Sequence, residues 1–531
     1  MELGPYIIIC ICAVNAVVWG CPQQCKCKDN NTICKGYDIK DFPSHIPSTT
    51  KSISLSCTNI SSLKPADFDA FSETLTKITV NNSRINEVQP HTFDKMHKLT
   101  TLVCSGTELV SLPEDLFQKL HSLTLLRLSN NKLNKLPSSL LTSLQSLKIL
   151  DLSKNNLSSI PEDAFQGLIH LETLMLQRNV IRKLQNGTFH GLRKLKNLYL
   201  QNNNLKVIPG NAFEELGNLN TLHLQNNVIT NLPAELFAHN QQLQKLYLSN
   251  NQLSFLPEAI FLKLPILQQI SLYDNQLQSL SINTFGPMVL QDLWLYDNML
   301  SHLEENVFSN LTHMQLLVLS RNRISHISPG VFNGLNELKE ISLHTNCLTS
   351  LDETVFRGLP KLVNISLENN KIQYIPENLL EGIPYLYQLE LQNNSISSLP
   401  QKFLDSLTNI DSVVLTENPW RCDLDILPLQ NWLKKYPYKV KNVTSLECFF
   451  PLHLRNISII NFHFNNTFHI SHFTPAKNST ILLKKGEVII GSQGMHMIIT
   501  AVVCTVVIVS IIIFIVCWRR NKQDRQKANK K

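Results

Sequence analysis

One motif recurs through most of the 531-residue chain and constrains the fold more than any other feature. It follows the pattern L-x-x-L-x-L-x-x-N-x-L, and successive copies begin 24 residues apart from near Thr50 to a final partial copy at Ile410. The exceptions are a first step of 25 residues and a step of 23 from Leu267 to Leu290, where we expect a tighter turn. A period of this length is typical of solenoids, in which each repeat contacts only its neighbours.

The alternating leucines within each copy favour a short parallel strand whose apolar side points into a core shared between repeats. The predicted fold class is therefore an α/β leucine-rich-repeat solenoid, with a curved parallel sheet on the concave side and short helical or irregular convex turns. We assign residues 50–417 to about 15 repeats of 24 residues. At 4.7–4.9 Å per strand, the strand face would be about 70 Å long, which suits a protein ligand.

The polar position of the motif is Asn in thirteen consecutive repeats, from Asn131 to Asn418. A buried amide at this position can pair with backbone groups of adjacent turns. The first three repeats have Thr58, Ser83 and Thr107 instead, and their hydroxyls can make fewer hydrogen bonds. We therefore predict that the N-terminal end is less rigid than the middle.

The two ends of the chain predict a type I membrane protein. Residues 1–20 have the apolar run and small-residue ending of a signal peptide, although an uncleaved anchor is the alternative. The 22 residues at 497–518 carry no charge and are long enough to form one transmembrane helix. A basic tail at 519–531 follows, so the preceding part, including a stalk at 461–496, would lie outside the plasma membrane.

Charge and motifs exclude several classes of function. The net charge is +7, but the last thirteen residues hold seven basic residues and one Asp, so the rest is nearly neutral. Nothing in this balance indicates a nucleic-acid partner. The sequence has no metalloprotease, hydrolase or phosphate-loop motif, so we predict neither enzyme activity nor a cofactor.

Cysteines flank the repeats on both sides. Cys21, Cys25, Cys27 and Cys34 fall in a predicted N-terminal cap at 21–49, and four cysteines this close after a signal peptide indicate a disulfide knot rather than the alternative zinc site. A C-terminal cap is predicted at 418–460. Three cysteines of the predicted ectodomain lie outside the caps: Cys104 at a core leucine position, predicted to be a buried thiol, and Cys57 and Cys347, predicted to be unpaired or to form an intermolecular bridge.

Several segments resemble the extracellular leucine-rich-repeat family of adhesion proteins. They are Phe285-Gly-Pro-Met288, Leu293-Trp-Leu-Tyr-Asp-Asn298, Leu319-Ser-Arg-Asn-Arg323, Ser342-Leu-His-Thr-Asn346, Asn418-Pro-Trp-Arg-Cys422 and Asp425-Ile-Leu-Pro-Leu429. The resemblance implies bridges between Cys21 and Cys27, Cys25 and Cys34, and Cys422 and Cys448. The chain departs from the family pattern at Leu424, where a further cap cysteine is expected, and in having a shorter stalk. It also implies adhesion to matrix proteins such as collagen, fibronectin and laminin.

Two sets of residues bear on ligand binding. Outward strand positions between Leu195 and Leu300 are rich in aromatic residues, a composition typical of protein interfaces, although such residues also simply favour strands. These candidates are Tyr199, His223, Tyr247, Tyr273, Trp294 and Tyr296. The twelve glycosylation sequons are at Asn30, Asn59, Asn81, Asn156, Asn186, Asn310, Asn364, Asn393, Asn442, Asn456, Asn465 and Asn478. Sugar at Asn364 or Asn393 would cover later strands, which favours an earlier ligand surface.

The sequence thus predicts a glycosylated plasma-membrane receptor that binds matrix or cell-surface proteins through its repeats. The alternative is a non-catalytic co-subunit of a membrane receptor complex. An adhesion receptor should bind matrix as an isolated ectodomain, whereas a co-subunit should co-purify with a second membrane chain.

Overall fold

The computed structural model describes residues 20–463, which include both caps and all of the repeats. The stalk predicted to continue beyond His463, the predicted transmembrane segment at 497–518, the predicted tail, and the sequons at Asn465 and Asn478 lie outside the described residues, as does the predicted signal peptide up to residue 19. Between residues 20 and 463, no helix is both long and apolar enough to cross a bilayer.

The repeats form a solenoid built on an 18-stranded sheet. Each repeat contributes one strand, and every strand pairs in parallel with those of the adjacent repeats except in the first, antiparallel pair. In chain order, the strands of this sheet are β1 Cys25–Lys28, β2 Asn31–Lys35, β3 Ser52–Ser56, β5 Lys77–Asn81, β7 Thr101–Ser105, β8 Leu125–Arg127, β9 Ile149–Asp151, β10 Thr173–Met175, β11 Asn197–Tyr199, β12 Thr221–His223, β13 Lys245–Tyr247, β14 Gln269–Ser271, β15 Asp292–Trp294, β17 Leu316–Val318, β19 Glu340–Ser342, β20 Asn364–Ser366, β21 Gln388–Glu390 and β22 Ser412–Val414.

Short elements lie on the turns outside this sheet. Two small parallel pairs, β4 Ser62–Leu63 with β6 Glu87–Val88 and β16 His302–Leu303 with β18 His326–Ile327, connect neighbouring turns. The described α-helices are α1 Gln401–Ser406 in the last repeat and α2 Leu427–Lys435 in the C-terminal cap. Turns without regular structure join most strands, as the short convex segments predicted from the period require.

The motif leucines form the continuous core. Leu198 in β11 and Leu200 just after it are fully buried, while Tyr199 between them faces out, which is the alternation expected of a half-buried strand. On the convex side, buried phenylalanines form a row in which each ring from Phe165 to Phe356 lies 5.8–6.3 Å from the next. Leu141 replaces one ring of the row between Phe117 and Phe165.

The asparagine ladder connects each turn to its neighbours. Asn203 Nδ2 donates to the carbonyl oxygens of Leu176 and Leu200, each at 3.0 Å, and its Oδ1 accepts from the Ile181 amide at 3.1 Å. The hydroxyl positions make fewer bonds: the buried Oγ1 of Thr58 has no hydrogen-bond partner among the described residues. The N-terminal strands β3, β5 and β7 are, however, five residues long rather than three, which adds backbone pairing where the ladder is weaker.

The predicted tight turn lies in the shortened repeat between β14 and β15. Gly286 in this turn approaches the preceding repeat so closely that a Cβ atom would lie 2.4 Å from Leu262 Cδ1 and 3.1 Å from Leu262 Cα. Despite the missing residue, the strands on both sides stay in register, with Gln269 opposite Asp292 and Ser271 opposite Trp294.

The caps close both ends of the core. The N-terminal cap is the hairpin of β1 and β2, with disulfides Cys21–Cys27 and Cys25–Cys34, and β2 continues into the solenoid sheet by pairing with β3. The C-terminal cap has the bridge Cys422–Cys448 and lays α2 against the last repeat. These are the pairs that the family resemblance implies.

The C-terminal cap packs to Phe462, past the boundary predicted at residue 460. Gln430 Nε2 donates to the carbonyl oxygen of Ile459 at 2.7 Å and to that of Phe462, and both of these apolar side chains are buried. Of the three remaining described cysteines, Cys104 is buried, and its burial raises the thiol pKa to about 12, so that it is an inert core residue. Cys57 and Cys347 are half-buried free thiols.

Candidate functional site

The six candidate aromatic residues lie on the concave strand face, and we call them the aromatic surface. Tyr199, His223 and Tyr247 occupy the last positions of β11, β12 and β13 and are directly opposite one another in the strand register. Trp294 occupies the same position of β15. Tyr273 and Tyr296 each follow their strands by two residues. All six residues are half-buried.

Five of these residues form two separate ring stacks. The first runs Tyr199–His223–Tyr247, with ring centroids 4.8 and 4.4 Å apart and nearly parallel planes. The second pairs Tyr273 with Tyr296 at 4.5 Å. Ser271 lies between Tyr247 and Trp294 in the strand register and is buried. It therefore interrupts the row of aromatic residues at the last positions of β11 to β15. The sequence placed the six residues on one face but did not reveal this division.

Polar contacts fix the rings. Tyr247 Oη donates to Gln269 Oε1 at 3.3 Å, and Gln269 Nε2 donates to Asp292 Oδ2 at 3.0 Å. The Arg321 guanidinium lies 5.6 Å from the Tyr296 ring centroid and forms an ion pair with Asp297. A cation held over an aromatic face in this way is an attractive arrangement. These contacts hold the rings in fixed orientations before any ligand arrives.

Burial favours the neutral form of three of the stacked groups, His223, Tyr247 and Tyr296. It lowers the pKa of His223, with a smaller opposing effect from the hydrogen bond to Gln225, so the imidazole resists protonation. Burial also raises the pKa of Tyr247 and Tyr296, with additional effects from neighbouring tyrosines. The aromatic surface therefore presents neutral rings with charged side chains beside them, at Lys245, Asp274, Asp292, Asp297 and Arg321.

Arg321, Gln269 and Asp292 were not among the residues predicted from the sequence. The signal was nevertheless present, because Arg321 stands 24 residues after Asp297, in the same position of the next repeat. Alignment of equivalent positions in successive repeats predicts that the Arg321 guanidinium lies beside Asp297, and therefore close to Tyr296.

The sequons avoid the aromatic surface. None occurs between Asn186 and Asn310. Asn364 is the first residue of β20 and Asn393 follows β21, so sugar on either would cover the later strands. Two of the described sequon residues already use Nδ2, the atom that glycosylation modifies: Asn59 donates it to the Tyr37 carbonyl oxygen and has a buried Oδ1, and Asn393 donates it to Asn369 Oδ1 at 2.7 Å.

The described residues offer no metal centre, since no cluster of three or more His, Cys, Asp or Glu side chains between residues 20 and 463 is arranged to hold an ion. What this part of the chain presents is a long, fixed, partly aromatic strand face. Such a face recognises a macromolecular surface by shape and by aromatic anchors.

Fold, repeat geometry and strand face together define the class of protein. The sequence profile described as "Leucine rich repeat" matches a series of overlapping segments that run from residue 73 to residue 396, which is more than half of the chain. The chain belongs to the leucine-rich-repeat family.

Particular relatives are similar over different lengths. Human leucine-rich repeat-containing protein 15 is 48% identical over 44 residues, which are 8% of this chain and 8% of that protein. A match this short supports membership of the family and does not single out that member. A solved leucine-rich-repeat protein of Leptospira interrogans is 26% identical, with a TM-score of 0.57, over 71% of this chain and 91% of that chain.

The fold is also similar to that of the Drosophila Toll–Spatzle complex in its glycosylated form. The TM-score is 0.66 at 22% identity, and the alignment covers 82% of this chain and 71% of that chain. This likeness concerns the fold. Together with the disulfide-bonded caps, the family membership is consistent with a secreted or cell-surface protein that binds other proteins.

Proposed function

We propose that the chain is a type I cell-surface glycoprotein that binds an extracellular-matrix or cell-surface protein through the aromatic surface. The observation that carries the proposal is the pair of ordered aromatic stacks on a strand face that is free of sequons from Asn186 to Asn310. Rigid aromatic groups bury large areas at low entropic cost, which is why they dominate binding energy at protein interfaces.

The relatives support a protein as the ligand. The Drosophila structure contains Toll together with Spatzle, so a solenoid of this fold is found there in a protein complex. For this chain, collagen, fibronectin and laminin are the first candidates because of the resemblance to extracellular adhesion proteins, and the localisation proposed is the plasma membrane. Glycosylation of the ectodomain is part of the same proposal.

The test is a double substitution, Trp294→Ala with Tyr296→Ala, in the full chain expressed on cells. We expect capture of the responsive matrix protein from a panel of collagen, fibronectin and laminin to fall at least tenfold, since central aromatic anchors each contribute about 2 kcal/mol or more. The matched control is Tyr374→Ala with Tyr385→Ala, because these tyrosines are 58% and 70% exposed and lie outside the strand face.

Surface staining must be equal for all variants, so that loss of capture is not loss of folding. Unchanged capture by the Trp294/Tyr296 variant would refute the aromatic surface as the binding site. If the parent chain captures none of the three proteins but co-purifies with a second membrane chain, the co-subunit function replaces the adhesion function.

A further inference from the structure

The N-terminal end of the strand face has a different chemistry from the aromatic surface. Four lysines occupy outward positions of β1, β2 and β5, and all four side chains are exposed. They are Lys26, Lys28, Lys35 and Lys77, and we call them the basic surface. Three of them, Lys26, Lys28 and Lys35, belong to the cap, so this surface exists only because the cap hairpin extends the sheet of the repeats.

The strand register brings the four lysines onto one face. Lys28 is opposite Asn31, Asn31 is opposite Ser52, and Ser52 is opposite Lys77, so one row across the sheet has an ammonium group at each end. At about 4.8 Å per strand, the Cα atoms of the two lysines are about 14 Å apart, and Lys26 is about 7 Å from Lys28 along β1. Lys35 extends the set along β2.

No carboxylate interrupts this region of the face. From β1 to β8, the outward strand positions carry no Asp or Glu; Asp29 lies in the turn between β1 and β2, and the Asp38 carboxylate lies beside Gly36, just after the end of β2. The first outward acid is Asp151 in β9, and Arg127 pairs with it at 3.0 Å. In later strands the outward positions carry negative charge instead, at Asp292, Glu340 and Glu390.

The groups between the lysines are small and polar. Ser52, Ser54 and Ser56 of β3 are half-buried and occupy the outward positions of their strand, on the same side as the lysines, whereas the Thr79 hydroxyl of β5 is buried. The large apolar side chain among these positions is Ile33, which is 51% exposed. A protein partner would be expected to find aromatic or guanidinium anchors in the centre of its site, and the basic surface has none.

We propose that the basic surface binds a linear sulfated polysaccharide. Compact ammonium groups several ångströms apart fit sulfates repeated along a chain, while the serine hydroxyls of β3 fit its sugar hydroxyls. Binding depends on release of counterions from the polyanion and therefore weakens steeply with salt. The surface is separate from the aromatic surface, so the protein ligand and the polysaccharide occupy different strands.

Sugar attached to the protein itself must be controlled in the test. Asn81, a sequon residue, is the last residue of β5 and lies on the same face, two positions beyond Thr79. A glycan there would cover part of the basic surface. All variants are therefore prepared with Asn81→Gln, and the unmodified parent is measured alongside them.

The experiment measures binding of heparin, the probe polysaccharide, to the full chain purified in non-ionic detergent. The test variant replaces Lys26, Lys28, Lys35 and Lys77 with Gln. The matched control carries the same charge change at Lys119, Lys135, Lys183 and Lys206, which are exposed but lie outside the strands. We expect the test variant to lose at least about tenfold in affinity at physiological salt and to show a shallower salt dependence, while the control loses less than about twofold.

Three outcomes would overturn the proposal. They are equal losses in the test and control variants, unchanged binding in the test variant, and displacement by polyglutamate as effective as displacement by heparin, which would indicate an acidic protein segment instead. Chemically desulfated heparin should fail to compete. The Trp294/Tyr296 variant should bind heparin normally, so a failure of this proposal is distinguishable from a failure of the proposed protein-binding function.

Discussion

At the scale of single residues, the side chains of Asn203 and its equivalents form hydrogen bonds with backbone amide and carbonyl groups of adjacent turns that have no backbone partner. The side chain is 7% exposed, and its amide makes bonds to three backbone groups of two repeats. Removing one partner of a buried hydrogen bond leaves the other unsatisfied, which costs about 1–3 kcal/mol per group. The ladder therefore contributes to coupling between repeats as well as to the stability of each turn.

We predict that Asn203→Ala lowers the free energy of unfolding by about 3 kcal/mol or more, because three backbone groups lose their partner. The measurement is chemical denaturation followed by circular dichroism. Asn204→Ala is the control, because Asn204 is the adjacent exposed residue and its side chain faces solvent. Similar midpoints for the two variants would mean that the ladder amide is not required.

Glu368 is a carboxyl group whose ionisation depends on the fold. Burial, followed by the neighbouring Glu390, raises its pKa to about 7, and His344 Nδ1 lies 3.9 Å from its Oε1. The folded chain therefore holds a proton that the unfolded chain releases at a lower pH. This contribution to stability is complete below the ordinary carboxyl pKa and is lost as the pH rises towards about 7.

Glu368→Gln should accordingly raise the melting temperature near pH 8, where the parent carries a buried charge, and change it little near pH 4. Differential scanning fluorimetry across this range measures the difference between variant and parent, which cancels the other titrating groups. Glu377→Gln, at an exposed position, serves as the control. A difference that is the same at both ends of the range would contradict the raised pKa.

At the scale of the repeat, the convex turn has to fit beside the preceding one. The shortened repeat does so because Gly286 has no side chain where Leu262 approaches. The phenylalanine row passes through this point without a break, since the rings of Phe261 and Phe285 are 5.8 Å apart, and Phe285 is 6.2 Å from Phe308. Deletion of one residue is thus absorbed in the turn and not in the strands.

Gly286→Ala should destabilise the chain by about 1–3 kcal/mol, because the new Cβ would lie 3.1 Å from the Cα of Leu262 and closer still to its Cδ1. Thermal unfolding measures the effect. Gly217→Ala is the matched control, since its Cβ would find its nearest neighbour, the His239 carbonyl oxygen, at 3.9 Å. Equal melting temperatures for the two variants would show that the turn can relax at no cost.

At the scale of the whole molecule, the caps decide whether a solenoid with open ends is stable. The C-terminal cap covers the last repeat with Trp420, Trp432 and Leu433, all buried, and Lys439 Nζ donates to the Ile410 carbonyl oxygen at 2.7 Å. The bridge Cys422–Cys448 closes a segment of 26 residues. Because each repeat contacts only its neighbours, loss of this cap should be felt most strongly in the adjacent repeats.

Replacing Cys422 and Cys448 together by Ser should cost about 3–4 kcal/mol and increase amide exchange in β21 and β22, with little change in β10 to β12. Hydrogen–deuterium exchange with mass spectrometry resolves the two regions. Cys347→Ser, which removes a free thiol from a repeat, is the control. Uniformly faster exchange along the sheet would instead indicate that the solenoid unfolds as one unit.

The charge of the strand face is also a property of the whole molecule. Lysines gather at its first strands and carboxylates at its later ones, while the neutral aromatic surface lies between them. A chain that is nearly neutral outside its basic tail therefore still presents surfaces of opposite sign. Average charge does not describe such a surface, because screening limits each charge to partners within about 10 Å.

The sequence by itself determined the solenoid, the place of the strand in each repeat, the buried asparagine row, and the face on which the aromatic residues lie. The sequence could do so because, in a strict 24-residue repeat, two residues 24 positions apart are neighbours in space, as Asp297 and Arg321 are. Ring stacking was not determined in this way, because side-chain orientation depends on contacts such as that of Tyr247 with Gln269.

Only the tertiary structure decided how the two caps, which lie outside the repeats, fold and pair with them. No repeat relates Lys26 and Lys28 to Lys77, and they share a face because β1 folds back on β2 and β2 pairs with β3. The extension of the cap to Phe462 likewise depends on its contact with Gln430. Pairing register across a non-periodic segment is set by long-range packing and hydrogen bonding, which the sequence pattern alone does not specify.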